Sequence, residues 1–215
     1  MKFLKNIRLL LIVFSVLISA CTYSPLKNEP GEIFSDYTYQ IGSGDTVDIF
    51  IWDNPDISST VTVRPDGKIT VPLVEDLPVN GKTPYQVARE LEKIYESYIR
   101  EPEVVVMVSG FQGVDDQQIR IVGQIGSGGN SSDNSSRYRG MTIPYVRGMT
   151  LLDVIIEIET IGEFADGNRA SIIREVNGVQ KRYGVRVDDL IEDANMSENV
   201  AMLPGDILII PEAFF

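Results

Sequence analysis

Four aspartates stand where paired carboxylates could perform acid–base chemistry: Asp45, Asp48, Asp66 and Asp206. A glycosidase needs two carboxyl groups held about 5 to 9.5 Å apart, and these four could supply such a pair. Turn positions already explain them, because an aspartate in a turn accepts backbone N–H bonds. The turn motifs are Gly42-Ser43-Gly44-Asp45, Arg64-Pro65-Asp66-Gly67 and Pro204-Gly205-Asp206. We therefore interpret these residues mainly as structural turns, and we predict a protein that is not an enzyme, with no catalytic residue, no cofactor and no metal ligand.

Composition removes several other kinds of chemistry. The chain has no histidine, which is the commonest general base and zinc ligand. Its formal net charge is −12, with 19 Lys and Arg against 31 Asp and Glu. Nucleic acid is therefore not expected as a partner, since binding to phosphates needs clustered cations. Gly42 and Gly44 also lack the third glycine of a dinucleotide-binding loop.

The only cysteine, Cys21, follows a short N-terminus that is first basic and then apolar. The basic residues are Lys2, Lys5 and Arg8, the apolar stretch is 9–18, and the small residues before the cysteine are Ser19-Ala20. This stretch is shorter than the roughly 20 residues that span a membrane, which favours a cleaved signal. The pattern resembles a bacterial lipoprotein signal. It predicts a signal peptide over 1–20, lipidation of Cys21 and a lipid tether over 21–36. The alternative is that the hydrophobic N-terminus is not cleaved and that Cys21 is a lone buried thiol after it.

Hydrophobic periodicity positions the turn motifs on an α+β fold of two small domains, 37–112 and 117–213. In the first, a strand over 47–52 precedes two strands, 61–64 and 68–73, which we predict to form a hairpin through Pro65-Asp66-Gly67. Thr83 and Pro84 begin a helix over 84–98. The β-branched run 104–108 is typical of a strand buried inside a sheet.

Aromatic residues offer another way to contact sugars, by stacking on sugar rings. Trp52 follows the alternating pattern of its strand, which favours a place in the core over a sugar-stacking role. Tyr85, Tyr95 and Tyr98 lie on the predicted helix and are likewise interpreted as residues that pack it.

The second block begins with a strand near 118–123. A Gly- and Ser-rich insertion over 126–140 is too polar to bury and predicts a flexible exposed loop. The block continues with a helix over 151–159, capped by Thr150, and with a hairpin of strands 171–176 and 180–185 around Asn177-Gly178. The motif Leu203-Pro204-Gly205-Asp206 then leads into a buried strand over 207–210.

Several of these motifs occur together in one known family. The first block carries Tyr39-Gln40-Ile41-Gly42-Ser43-Gly44-Asp45, Trp52 with Asn54-Pro55, and Val63-Arg64-Pro65-Asp66-Gly67-Lys68. It resembles the N-terminal domain of outer-membrane polysaccharide export lipoproteins. The second block carries Ile121-Val122-Gly123, Met149-Thr150-Leu151-Leu152-Asp153 and Leu203-Pro204-Gly205-Asp206, and it resembles the soluble-ligand-binding β-grasp (SLBB) module of the same proteins. The length and the ending resemble the short, exosortase-associated type.

The resemblance implies a lipid-anchored protein on the periplasmic face of the outer membrane, forming a homo-oligomeric ring for exopolysaccharide export and biofilm formation. The implied partners are polysaccharide, an inner-membrane chain-length regulator or tyrosine kinase, and a separate outer-membrane β-barrel. Three departures are the insertion at 126–140, Thr160-Ile161-Gly162 in place of a Gly-Gly turn after the helix, and the lack of the second β-grasp module and C-terminal membrane helix of the long capsule exporters. A monomeric envelope glycan-binding module is the alternative function, and an envelope hydrolase is a third.

Overall fold

A computed structural model describes residues 23–27, 37–126 and 139–213. The signal peptide, Cys21, most of the expected tether and most of the Gly- and Ser-rich insertion lie outside the described residues. The described chain is a mixed α+β fold of few helices and several small sheets, which confirms the predicted fold class. Within the described residues no helix has the length and apolar character needed to cross a membrane.

Five strands and one helix build the first half of the fold. They are β1 (Thr46–Ile51), β2 (Ser59–Thr62), β3 (Lys68–Val71), β4 (Val74–Pro78), α1 (Pro84–Tyr95) and β5 (Val104–Ser109). An antiparallel sheet has the order β2-β1-β5, and β3 and β4 form a separate two-stranded sheet. The inward-facing residues of both sheets and the apolar face of α1 enclose one core, with Val47, Leu91 and Tyr95 fully buried.

The helix α1 begins where the sequence predicts, because Thr83 and Pro84 supply its N-terminal chemistry. The Thr83 hydroxyl accepts from the Gln86 N–H while the Gln86 side chain accepts from the Thr83 N–H, a complete capping box. The helix ends at Tyr95, three residues earlier than expected. There the Tyr95 hydroxyl donates to the Pro72 carbonyl at 2.9 Å, which ties the helix end to the β3–β4 sheet.

The predicted hairpin of 61–64 and 68–73 is wrong. The turn itself is present, since the Gly67 N–H donates to the Arg64 carbonyl at 2.8 Å. The strands on either side of it pair elsewhere, β2 with β1 and β3 with β4. The sequence places the turn correctly, but a turn alone does not decide which strands pair across it.

The run 104–108 forms a strand as predicted, but the prediction that this strand is buried inside a sheet is wrong. It pairs with β1 at one edge of the three-stranded sheet, and its side chains alternate between the core and the outside. Val104 is buried, whereas Val105 and Met107 are about half exposed.

The second half contains β6 (Gln118–Gly123), β7 (Arg139–Pro144), α2 (Leu151–Glu157), β8 (Ser171–Val176), β9 (Val179–Gly184), α3 (Val187–Ile191) and β10 (Ile207–Ile210). Its five-stranded sheet has the order β7-β6-β10-β8-β9, with β10 parallel to β6 and the other neighbours antiparallel. The β8–β9 hairpin around Asn177-Gly178 is confirmed, and β10 is the central strand, as its apolar sequence predicts. This sheet and its helices enclose a second core.

The α2 helix confirms the cap predicted at Thr150, whose hydroxyl and N–H both engage the side chain of Asp153. The segment after α2 contains Thr160-Ile161-Gly162, where the resemblance predicts a Gly-Gly turn. Glu159 and Thr160 have φ values of 62° and 111°, in the region that favours glycine. The chain therefore reverses there without a glycine.

Candidate functional site: the joint between the two cores

Asp45 ends the glycine turn and is completely buried. One carboxylate oxygen accepts from the N–H groups of Gln112 at 2.6 Å and Gly113 at 3.2 Å. The other accepts from the Gly42 N–H at 2.8 Å and from the Tyr39 hydroxyl. Four donors therefore converge on one side chain: two come from residues just before Asp45, and two come from residues 110–116, the connector that leads to the second core. We call this cluster the Asp45 joint: Tyr39, Gly42, Asp45, Gln112 and Gly113.

Gly42 is required by close packing rather than by its backbone angles. A Cβ added at this position would lie 1.7 Å from the Gly113 carbonyl oxygen, which is impossible for any side chain. The backbone of the connector therefore lies directly on the glycine turn. This contact brings the N–H groups of Gln112 and Gly113 within reach of Asp45.

Burial and Asp45 determine the protonation of Tyr39. Burial is the largest cause, and the hydrogen bond to Asp45 and its negative charge add to it, so the pKa of Tyr39 rises well above its usual value of 10. The phenol therefore remains a proton donor to the carboxylate over the whole physiological range of pH.

The second motif, around Pro65-Asp66-Gly67, lies on the same side of the first core as the glycine turn. Gly67 has a φ of +75°, and a Cβ there would lie 2.7 Å from the Cβ of Asn80. Its carbonyl accepts from the N–H groups of Val79 and Asn80, both at 3.0 Å. Arg64 forms exposed ion pairs with Asp66 and Asp76. The motif thus joins the end of β2 to the segment after β4.

The third motif places Asp206 in a buried ion pair. Arg174 binds Asp206 through two hydrogen bonds of 2.9 and 2.7 Å, and the side chains are 8% and 1% exposed. The Leu203 N–H also donates to Asp206 at 2.8 Å, which closes the turn. Burial raises the pKa of Asp206, while Arg174 and the backbone donor oppose that rise.

The turns around Pro65-Asp66-Gly67 and Pro204-Gly205 border two open cavities, of about 650 and 490 Å³, that share Asp115 and Asp116 of the connector. The first cavity also contains Ser43, and the second contains Arg120 and Glu175. The structure thus brings motifs from both halves of the sequence to two cavities that share residues of the connector beside the joint. Within the described residues no group of three or more acidic or cysteine side chains is arranged to hold a metal ion.

The four aspartates considered for hydrolysis all have partners of their own. Asp45 and Asp206 are buried and bonded as described above, the exposed Asp48 accepts from the Thr60 hydroxyl at 2.6 Å, and Asp66 pairs with Arg64. The bonds of these aspartates stabilise turns and connect separate segments of the chain. Of these four aspartates only Asp66 lines one of the two cavities, so no two of them face a common cavity there.

The aromatic side chains differ from the expectation. Trp52 is 63% exposed and is not in the core, because the outward-facing register of β1 continues through Phe50 to Trp52. Tyr95 packs the helix as predicted, whereas Tyr85 and Tyr98 are exposed. The prediction was wrong for Trp52 and Tyr85 because residue spacing does not specify which face of a strand or helix is covered, and it was wrong for Tyr98 because the helix ends at Tyr95.

Part of the expected tether lies against the second half. Residues 23–27 run beside the end of β9, where the Leu26 N–H donates to the Gly184 carbonyl at 3.1 Å and the Gly184 N–H donates to the Ser24 carbonyl at 3.0 Å. The Arg182 guanidinium stacks on the Tyr23 ring at 4.1 Å from its centroid. We call residues 23–27 the docked segment.

Sequence reasoning missed Tyr39, Gln112, Gly113 and Arg174 as partners of the motif aspartates. For Arg174 a signal exists, since it is a lone cation on the buried phase of β8, beside Ile172. A charge at such a position requires a buried partner of opposite sign. For the donors of the Asp45 joint no comparable signal exists, because two of them are backbone groups.

One comparison with known families bears on the first core. Residues 35–109 match the family described as polysaccharide biosynthesis/export protein. The matched segment contains the glycine turn, the Pro65-Asp66-Gly67 turn and all of β1 to β5. This family is a transport component rather than a family of known enzymes, and it implies a role in polysaccharide export. Residues 35–109 of this chain are thus a domain of the polysaccharide biosynthesis/export family.

Proposed function

We propose that this protein is a lipid-anchored periplasmic component of an exopolysaccharide export channel, in which copies of the chain form a ring that passes polysaccharide toward the outer membrane. The family match over residues 35–109 carries the proposal. In this reading 37–112 is the export domain, 117–213 is a β-grasp SLBB domain, and the protein is of the short exosortase-associated type. Its partners are the inner-membrane chain-length regulator and a separate outer-membrane pore.

The contacts between the two halves support a ring. A closed ring needs every subunit to hold the same angle between its contact surfaces. Besides the Asp45 joint, the Tyr37 and Tyr145 rings pack edge to face at 5.0 Å, and the Gln40 N–H donates to the Gln117 side chain at 3.0 Å. These bonds fix the first core against the second, so each copy is able to present its surfaces in one geometry.

The docked segment supports an anchor close to the second domain. Cys21 lies two residues before Tyr23, so the chain between them reaches at most about 7 Å. A lipid on Cys21 therefore holds the end of β9 near the membrane surface. Several acyl chains make this attachment durable, because each buried methylene contributes about 0.8 kcal/mol.

Three measurements test these statements separately. Deleting the protein removes surface exopolysaccharide from the cell if the chain serves export, and unchanged polysaccharide refutes export. Cys21→Ser leaves the fold intact and releases the protein from carbonate-washed membranes, whereas retention there refutes the anchor. Sedimentation of the purified protein gives a mass many times that of one mature chain if a ring forms.

The alternative is a monomeric envelope module that binds glycan without transporting it. The exposed rings of Phe50 and Trp52 favour this function, because they offer a binding surface on a single copy. Particle mass and deletion phenotype distinguish the two functions. A monomeric module sediments as one chain, and its deletion leaves the amount of exported polysaccharide unchanged.

A further inference from the structure

The outer face of the three-stranded sheet carries large apolar side chains. Phe50, Trp52, Val105 and Met107 are 42%, 63%, 52% and 49% exposed. The register of the sheet places Val105 opposite Phe50, and Phe50 packs edge to face on Trp52 with ring centroids 6.2 Å apart. We call these four residues the aromatic face. It presents two neighbouring rings, Phe50 on β1 and Trp52 on the turn that follows it.

The backbone around Trp52 is fixed even though its side chain is exposed. The Trp52 N–H donates to the Glu103 carbonyl at 3.0 Å, and the Asn54 side chain donates to the Trp52 carbonyl at 2.8 Å. Ser58 closes the same turn by accepting from the Ile51 N–H at 2.9 Å. Holding an exposed ring on such a turn lowers the entropy lost when a ligand binds it.

A polar pair lies beside the rings. Asp48 precedes Phe50 by two residues on the same face, and the register places it opposite Thr60 on one side and Met107 on the other. The Thr60 hydroxyl donates to one Asp48 oxygen at 2.6 Å. The face therefore combines aromatic rings with an exposed carboxylate, which is able to accept hydrogen bonds from a ligand's hydroxyl groups.

The charge around the face restricts its partner. Neither the stretch 28–63 nor the stretch 101–119 contains a Lys or Arg, whereas Asp48, Asp53 and Glu103 are acidic. Arg89 contacts this sheet, and it does so from the helix side by donating to the Val104 carbonyl. Anionic polymers and anionic lipid surfaces are repelled by such a face. Two copies meeting face to face would also oppose like charges.

We propose that the aromatic face binds neutral sugar rings of a polysaccharide, with Trp52 and Phe50 as stacking surfaces and Asp48 as a hydroxyl acceptor. The partially positive C–H groups of a sugar ring complement the negative face of an aromatic ring, and the rest of the contact is apolar. The sugar as partner rests on the proposed function. The location of the binding site and the neutral charge of its sugar rest on the geometry and electrostatics of the face.

Trp52 is the only tryptophan of the chain, so its fluorescence reports on this face alone. The full chain, kept in a detergent without a sugar headgroup, is titrated with gluco-, manno- and galacto-hexaoses, and with oligogalacturonate of the same length as the anionic probe. At least one neutral hexaose shifts the emission to shorter wavelength with saturation, and oligogalacturonate does not. Phe50→Ala weakens this binding about tenfold, as expected for loss of one aromatic contact.

Tyr98→Ala is the matched control, since Tyr98 is equally exposed but lies after α1, away from the face. Its affinity equals that of the wild type. Trp52→Ala, measured by calorimetry, binds no hexaose while keeping the wild-type circular dichroism. Absence of a shift with all three neutral probes, or equal affinity for oligogalacturonate, overturns the proposal. So does an emission shift caused by raising the protein concentration without sugar, which identifies a contact between copies.

A cellular experiment separates this inference from the proposed function. If deletion abolishes export but Trp52→Ala exports normally and binds hexaose as the wild type does, the sugar-binding face is refuted and the export function stands. If deletion leaves export unchanged, the export function is refuted, and the fluorescence titration still decides whether the face binds sugar.

Discussion

Replacing Asp45 by asparagine tests the joint with almost no change in shape. In the wild type both carboxylate oxygens accept, one from Gln112 and Gly113 and the other from Gly42 and Tyr39. An asparagine has one oxygen and one NH2 group, so one of these sites must receive a donor. The less costly orientation keeps the oxygen toward the connector and turns the NH2 group toward Gly42 and Tyr39.

The cost follows from the bonds that are lost. The Tyr39 hydroxyl is able to rotate and accept, but the Gly42 N–H is left opposite another donor in a fully buried site. A buried unsatisfied donor costs about 1 to 3 kcal/mol, and bonds to a charged acceptor are worth about 1.5 to 3. We expect Asp45→Asn to lower the free energy of unfolding by about 2 to 5 kcal/mol, a large part of a typical domain's stability.

Urea unfolding followed by far-ultraviolet circular dichroism measures this loss, because the exposed Trp52 is a poor probe of the core. The midpoint falls for Asp45→Asn, and hydrogen exchange at the Gln112 and Gly113 amides accelerates. Asp48→Asn is the control, since Asp48 is exposed and loses only part of one contact with Thr60. Its stability changes by less than about 0.5 kcal/mol.

Two results would refute this reasoning about the joint. One is an Asp45→Asn midpoint equal to that of Asp48→Asn. The other is a large loss of stability without faster exchange at Gln112 and Gly113. The first would mean that the carboxylate is not needed for the bonds, and the second that the loss arises elsewhere than at the joint.

Three further perturbations address the other motifs. Gly67→Ala lowers the free energy of unfolding by about 1 to 3 kcal/mol more than Gly81→Ala, because both positions have positive φ but only Gly67 lacks room for a Cβ. Urea unfolding measures the difference, and equal midpoints contradict this. Arg174→Met costs about 3 to 5 kcal/mol by leaving Asp206 buried without its cation, and Arg174→Lys costs less; equal losses for the two contradict this. The pKa of Tyr39 is raised on folding, so the stability that the protonated phenol contributes is fully present below pH 10 and is lost as the pH rises further. Tyr39→Phe therefore makes the free energy of unfolding fall less steeply with pH above 10. An unchanged dependence on pH contradicts this.

Local chemistry explains the elements that were predicted correctly. Thr83 and Thr150 begin helices because a hydroxyl before an apolar helical pattern satisfies the first free N–H groups. Asn177-Gly178 forces a hairpin because both residues accept positive φ, as they do here at 54° and 76°. Each of these decisions involves residues within a few positions of one another, so the sequence contains all of its parts.

Pairing between distant segments explains the errors. The Pro65-Asp66-Gly67 turn is local and was predicted, but the choice of β1 for β2 and of β4 for β3 depends on which surfaces meet. The outward register of Trp52 has the same origin, because alternation specifies two faces of a strand without specifying which one is covered.

The sequence by itself determined the turns, the helix starts, the α+β class and the absence of histidine chemistry, since these depend on residue type and short spacing. Only the tertiary structure decided that Asp45 collects donors from a connector 67 residues away, that Arg174 meets Asp206, and that Phe50 and Trp52 face outward. Those outcomes depend on the packing of separate strands and on backbone N–H groups, which are the same at every non-proline position and leave no mark in the sequence.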